Sequence, residues 1–588
     1  MSGRTEHYVR AAKLVDIEAA GRLVVHVEGH TLVLIREGEK IYAVDNRCPH
    51  MGFPLHRGTV KEGILTCHWH HARFDLASGG TFDPWADDVR SFPVQVRNGE
   101  VWVDLTLRVD PRTHQRQRLR DGLERNISLV IAKAVISLLE GGDAPVESFR
   151  IGLDFGVRYR QAGWGQGLTI HTSMMNLLPY LASEDRPRAL YHGLSAVARD
   201  CSDMPPRFPV HPLPTSTADV ATIKRWFRQF IEVRDAEGAE RCIVSAVRSG
   251  IDHGQIADLL FTAATDHRYI DIGHVLDFTN KALEALDLAG WEHAERVLTS
   301  LIPDYANAAR MEESNAWRYP VDLVSILKRA FEELPSVLQQ GRDRRGTWTG
   351  ADTLVPVLLG EDPQAIAEGL LDALSAGATE QDLGRVVAYA AVMRIAHFHT
   401  SNEFGDWDTA LHTFTFANAV HQGLQRVPSA MGQEGAPLLL RGVFDAAMSN
   451  YLNRFLNVPA APLPAPEGAG AKPEMILAEL SELLDRQQQV DASGEVVTRY
   501  LDSGSDPDQL LAVMGRLLLR EDRDFHTIQV VEAAFRQYTG LKARPAGTRV
   551  LVAAARYLAA HAPTVRAQGQ TYQVAQRLYR GERLFEEA

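Results

Sequence analysis

Cysteine is scarce. The 588-residue chain has four, at positions 48, 67, 201 and 242. That excludes a disulfide scaffold, and a chain of this length buries enough core to need no such staples. No apolar run approaches 18 residues, which excludes a transmembrane helix. The opening MSGRTEHYVR lacks the apolar core of a secretory signal. Basic charge is short as well. A formal net charge of −13 argues against nucleic acid as the main partner, because phosphate binding needs a basic surface. It also disfavours an anionic membrane. The chain is therefore expected in the cytoplasm.

What remains is ordinary globular composition, 45% hydrophobic and 23% charged, with length for about four domain-sized units. Residues 1–107 read as β. Short runs such as Leu23–Val27, Thr31–Ile35, Lys40–Val44, Ile64–Cys67 and Val101–Leu105 are separated by Gly, Asn and Asp turns. Residues 108–122 read as a basic linker. From 123 to 457 the pattern is helical, with 3.6-period stretches such as ISLVIAKAVISLLEG. Residues 458–473, VPAAPLPAPEGAGAKP, read as a second linker, and 474–588 as a C-terminal helical unit. The expected fold class is multidomain: a small all-β domain, then a large all-α region.

The all-α region reads as repeated helical units. Gly142, Gly250, Gly377 and Gly504 each precede a short polar capping stretch and an apolar helix. Their spacings are 108, 127 and 127 residues. A further helix follows in each case, beginning near His171, His274, His412 or His526. This is the signature of four diverged copies of one unit.

The chemistry-bearing motif lies in the β region. Cys48-Pro49-His50 is followed after 16 residues by Cys67-His68-Trp69-His70. Two thiolates and two imidazoles on two loops are the donor set of a Rieske [2Fe–2S] centre. Zinc is the rival, but finger-type zinc spacing pairs Cys with Cys and His with His, whereas here they alternate. The segments CPHMGFPLHRG and CHWHHARFDLASGG resemble the Rieske ferredoxin family over about residues 7–107. The resemblance implies that Cys48 and Cys67 bind one iron and His50 and His70 the other. His68 stands where that family commonly has Pro, and His71 where it has Gly. High-potential respiratory members brace the loops with a disulfide, at positions occupied here by Phe53 and Trp69. They also bond Ser and Tyr hydroxyls to sulfur, at positions occupied here by Ala72 and Phe74. Hydrogen bonds to the sulfurs set the potential, so a low-potential centre is expected.

The helical region lacks the Asp/Asn-x-x-His-x₄-His run of ring-hydroxylating oxygenases. It offers histidines instead. His267, Asp271 and His274 at i, i+4 and i+7 fall on one helix face and match a non-haem iron donor set. Glu521, Asp524 and Glu532 accompany His526, and HFHTSNEFGDWDTALH holds His397, His399, Glu403, Asp406, Asp408 and His412. Repeats arranged about an axis bring His171, His274, His412 and His526 together; a solenoid keeps them in a row. A second metal, non-haem iron, and a metal-free acid–base cavity both remain open. GATEQDLGRVVAYAA resembles the carboxymuconolactone decarboxylase repeat. HTSMMNLLPYL with YHGLSAVA is loosely similar to questin-oxidase-like oxygenases. Neither resemblance transfers a catalytic residue.

No Walker loop occurs, and Gly163-Trp164-Gly165-Gln166-Gly167 lacks a βαβ context. Electrons must come from an external NAD(P)H-dependent reductase or ferredoxin. The expected function is a Rieske oxidoreductase whose cluster passes single electrons to a His-rich site that oxidises, by oxygenation, a small organic substrate. The alternative is a low-potential carrier or redox sensor with a helical docking scaffold.

Overall fold

The computed structural model describes residues 7–106, 110–214, 218–427, 438–465, 472–542 and 545–584. They form two compact units, Met1–Ile151 with Gln568–Ala588, and Gly152–Ala567.

The first unit is built on antiparallel sheets. Arg22–Val27 pairs with His30–Glu37 across the two-residue turn Glu28-Gly29. Both turn residues have positive φ, 43° and 80°, the backbone a tight right-twisted hairpin requires. Lys40–Asp45 and Ser91–Phe92 complete a four-stranded sheet. Tyr8–Lys13, Glu100–Asp104 and Val94–Arg97 form a second sheet, and Thr59–Lys61, Ile64–Thr66 and Arg73–Asp75 a third. Val33, Val44, Leu55, Leu65, Phe74 and Val89 fill the core between the loops that follow Asp45 and Thr66.

Besides the short helix Leu14–Ala20, longer helices complete this unit. The segment expected as a linker over 108–122 is largely helix Pro111–Glu124. Asp110 caps it by accepting from the Thr113 amide at 2.8 Å, and Pro111 takes the first helical position. Its basic residues are partnered: Arg116 with Asp143 at 2.8 Å and Arg118 with Asp87 at 3.1 Å. Ser128–Glu140 follows. The last helix, Ala567–Tyr579, arrives from the far end of the chain, and Arg47 donates to the Leu578 carbonyl at 3.1 Å.

The second unit is helical. The four repeat glycines all sit just past a helix end with φ between 72° and 100°, a conformation that costs glycine little. Asp252, Thr379 and Asp506 then cap the helices that follow. The next helix of each repeat is a core helix: Gln166–Leu177, His274–Ala289, Phe404–Arg426 and Phe525–Leu541. The first packs on the second and fourth, and the third packs on the second and fourth. The four therefore close a ring rather than a row. Residues 474–567 belong to this same unit. Of the second expected linker, 466–471 lie outside the described residues, while the Ala461 amide donates to His397 O at 2.8 Å. No helix among the described residues is long and apolar enough to cross a membrane.

His192 tests how this unit responds to acid. It is buried, and its Nε2 finds no partner. Burial, then Arg188 and Arg199, push its pKa down to about 3. A histidine depressed in the folded state contributes stability that is present above its unfolded pKa, near 6.5, and lost as pH falls toward 3. Between those limits the loss is about 1.4 kcal/mol per pH unit for one proton. Urea unfolding at pH 7.5 and 5.0 is expected to show a smaller acid loss in His192→Leu than in wild type. Identical losses would refute it.

Candidate functional site

The first site lies on two loops of the β unit. The Cys48 loop leaves Lys40–Asp45, and the Cys67–His70 loop joins Ile64–Thr66 to Arg73–Asp75. Each loop is a tight turn closed on its own cysteine. Gly52 N donates to Cys48 O and Cys48 N to Phe53 O, both at 2.8 Å; His71 N donates to Cys67 O and Cys67 N to Ala72 O, at 3.0 and 2.8 Å. Gly52 has φ 82°, and His71 adopts φ 62° at the position where the family has glycine. Its side chain is exposed.

Both thiols are buried. The amides of His50 and Met51 are directed at the Cys48 sulfur, and those of Trp69 and His70 at the Cys67 sulfur. The hydrogen bond between the two thiols lowers the Cys67 pKa, helped by those amides and opposed by burial, and raises that of Cys48. The His50 and His70 rings stand edge-on, centroids 4.8 Å apart. His50 Nδ1 is buried without a protein partner, and burial, Lys133 and His70 hold the ring neutral with a pKa near 4. Two buried sulfurs with amide donors and an orphaned imidazole nitrogen fit a [2Fe–2S] cluster with Cys₂His₂ ligation. Phe53 and Trp69, 6.0 Å apart, put an aromatic contact where respiratory relatives place a disulfide. Ala72 and Phe74 are buried and offer no hydroxyl to sulfur.

The second site lies in the helical unit, where ring closure brings three of the four repeat histidines together. His274 opens the second core helix, His412 lies within the third, and His526 is second in the fourth. Each offers a nitrogen within 4.8 Å of the other two. His412 Nε2 and His526 Nε2 are 3.0 Å apart. Two nitrogens on one metal at about 2.0–2.1 Å stand about 2.9–3.4 Å apart. Burial and the neighbouring imidazoles push His274 to about 4 and His412 to about 3, so both are neutral donors at pH 7. On its other side His526 Nδ1 faces Asp408 at 3.6 Å and Asp524 at 3.9 Å. The buried Tyr557 donates to Asp408 at 2.8 Å. A carboxylate behind a histidine is the usual outer-shell support of a metal ligand. Phe278 and Phe525 wall the site, 5.3 and 5.8 Å from His274.

The other expected residues lie elsewhere. His171 is fully buried against Gly152 and Gly193, where a Cβ would come within 2.5 and 2.7 Å of its ring. His267 and Asp271 do not share a helix with His274. Tyr269, Asp271, Ile272 and Gly273 have φ of 44°, 50°, 48° and 102°, a left-handed turn directly before His274. His267 pairs with Glu312 at 2.8 Å and Glu232 at 3.2 Å. Glu532 joins a buried network with Lys281, and Glu521 binds Arg523 and Arg566. Cys201 and Cys242 are buried. Asp408 and Tyr557 are the functional candidates that spacing alone did not single out as a pair; 149 residues separate them.

The left-handed turn is held by its surroundings. Arg268 donates to Asp445 at 2.8 Å and its amide to Glu312 at 2.9 Å, and the Asp271 amide donates to Ala309 O at 2.7 Å. Positive φ at a β-branched residue is strained, and such strain gathers at functional sites. Ile272 is 40% exposed, so truncation itself removes some burial, and Ile272→Gly is best compared with Ile272→Ala. The glycine variant is expected to be the more stable of the two by about 1 kcal/mol, read as a higher urea midpoint at unchanged slope. A lower midpoint would show that the turn stores no strain.

Comparison with known proteins supports the first site. Residues 7–93 match the family model described as the Rieske [2Fe-2S] domain. The ferredoxin component of the naphthalene 1,2-dioxygenase system of Pseudomonas aeruginosa is 31% identical over 103 residues, covering 17% of this chain and 99% of that protein. The oxygenase subunit of 3-chlorobenzoate-3,4-dioxygenase of Comamonas testosteroni is 35% identical over 114 residues, 18% of this chain and 26% of that one. Among solved structures, the ferredoxin of carbazole 1,9a-dioxygenase from Nocardioides aromaticivorans IC177 is 29% identical, covers 16% of this chain and 95% of its own, and aligns with a TM-score of 0.16. The chain thus spans nearly all of the ferredoxin components and about a quarter of the oxygenase subunit. Through the Cys48, His50, Cys67 and His70 loops, it belongs to the Rieske [2Fe–2S] domain family.

Proposed function

We propose that the protein is a Rieske oxidoreductase of the cytoplasm in which single electrons, supplied by an external NAD(P)H-dependent reductase or ferredoxin, serve the oxidation of a small organic substrate at the three-histidine site, with dioxygen as oxidant. A cluster bound by Cys48, Cys67, His50 and His70 takes up and releases one electron at a time. The observation that carries the reading is the convergence of His274, His412 and His526 from three separate repeats, with two nitrogens 3.0 Å apart. Neutral imidazoles, an orienting carboxylate and an aromatic wall suit a non-haem iron beside an apolar substrate. Relatives that are components of dioxygenase systems support the oxygenase direction. Fusing carrier to catalyst raises the effective concentration of the donor.

The test is iron and acid-labile sulfide per chain on anaerobically purified protein, with EPR after dithionite reduction. One iron beyond the two irons and two sulfides of the cluster is the expected result. Two irons, two sulfides and no other bound metal would sink the metal-centre reading and favour the carrier or sensor.

A further inference from the structure

Helix Ser128–Glu140 lies beyond the 7–93 match, yet it reaches the cluster loop. Lys133 donates through Nζ to Pro49 O at 2.8 Å and also to His50 O. Helix Pro111–Glu124 reaches His50 indirectly, through the segment that carries Trp85. Arg118 donates to Ala86 O at 2.9 Å and Pro84 O at 3.4 Å, bracketing Trp85, whose ring lies 4.7 Å from that of His50. Of the groups facing Lys133, Arg118 and Arg47 share its sign, Asp87 and the Cys48 thiol oppose it, and Asp45 and Asp88 line the same pocket. The cation that reaches the Cys48-Pro49-His50 loop from outside the family match is Lys133 itself, donating to the Pro49 and His50 carbonyls.

We propose that Lys133 is a potential-setting residue, a cation borne by the appended helix that raises the reduction potential of the cluster above the value its two loops alone confer. Reduction adds one negative charge at the cluster. A cation held against the His50 carbonyl stabilises that charge through a short, partly desolvated path. It also withdraws electron density from a ligand through its backbone, and net charge and hydrogen bonding are the levers that set such potentials. The proposal rests on the cluster alone and stands or falls separately from the three-histidine site.

The experiment is a redox titration of the full-length, cluster-loaded protein, followed by EPR or circular dichroism, for wild type, Lys133→Arg, Lys133→Gln and Lys133→Met. Iron and sulfide content and the EPR line shape report cluster integrity. The expected result is a midpoint shifted to lower potential in Lys133→Gln and Lys133→Met, and one close to wild type in Lys133→Arg. Gln keeps a donor and loses the charge, so a fall there assigns the effect to charge. An unchanged midpoint in both uncharged variants with intact clusters overturns the proposal. So does loss of the cluster from both, which makes Lys133 a structural clamp. Should only Lys133→Met lose its cluster, the comparison of Gln with Arg decides, and equal midpoints there overturn it.

Discussion

His412→Ala is expected to empty the metal site proposed for the helical unit while leaving two irons and two sulfides in the β unit. The three imidazoles come from three helices, and His412 supplies the nitrogen that faces His526 Nε2 at 3.0 Å. The loss should exceed the roughly 10–100-fold drop in affinity that follows removal of an outer-shell partner. That smaller drop is what Asp408→Asn should give, since Asp408 stands 3.6 Å behind His526 and Tyr557 fixes it from 2.8 Å. His171→Ala provides the contrast. It opens a cavity against Gly152 and Gly193, so it should lower stability and leave metal content alone. Metal analysis and cobalt(II) titration of the apoprotein read all three. Retention of full metal by His412→Ala would place the metal elsewhere.

Lys281→Met should cost about 3–5 kcal/mol of unfolding free energy, the range for removing one partner of a buried ion pair. Lys281 on the second core helix donates to Glu284 at 3.0 Å and to Glu532 on the fourth. All three side chains are at most 2% exposed. Asn176 of the first core helix donates to both carboxylates, at 2.8 and 3.0 Å, and Arg536 binds Glu284. This network ties three of the four core helices, and without the ammonium the two buried carboxylates keep Arg536, Asn176 and, on Glu284, Asn280. The cost is electrostatic, so Lys281→Met with Glu532→Met should recover much of it, since well-packed apolar replacements of buried ion pairs are often neutral. Urea unfolding measures both. A single variant within about 1 kcal/mol of wild type, the size of an exposed pair, would show that the network does not hold the ring.

The cluster site was legible because its information is local. Cys48 with His50, and Cys67 with His70, are each two or three residues apart on one tight loop, so spacing alone constrains the ligands. The histidine triad was half legible. The repeat placed His274, His412 and His526 at matching positions, but ring closure depends on packing between helices more than a hundred residues apart. The same reasoning enrolled His171, whose ring fits a slot left by two glycines of its own repeat. The i, i+4, i+7 reading of His267, Asp271 and His274 failed because periodicity presumes a continuous helix, and ion pairs to Glu312 and Asp445 enforce a left-handed turn instead. Asp110-Pro111 was a helix-start signal in a stretch whose basic composition read as linker. Three of its arginines pair with acidic residues on other elements, Arg112 and Arg116 with Asp143 and Arg118 with Asp87.

The helix Ala567–Tyr579 gives assembly of the cluster unit a time scale. Arg47, one residue before the first cysteine ligand, bonds to the Leu578 carbonyl across 531 residues of chain. At about 5–20 residues per second, the rate of protein synthesis, that partner follows Arg47 out of the ribosome by roughly half a minute to two minutes. Throughout that interval the Cys48 loop exists without its last helix. The β unit is thus completed only after the helical unit has been synthesised, and closing so long a loop has an entropic cost that grows only slowly with length, so the delay is one of time far more than of stability.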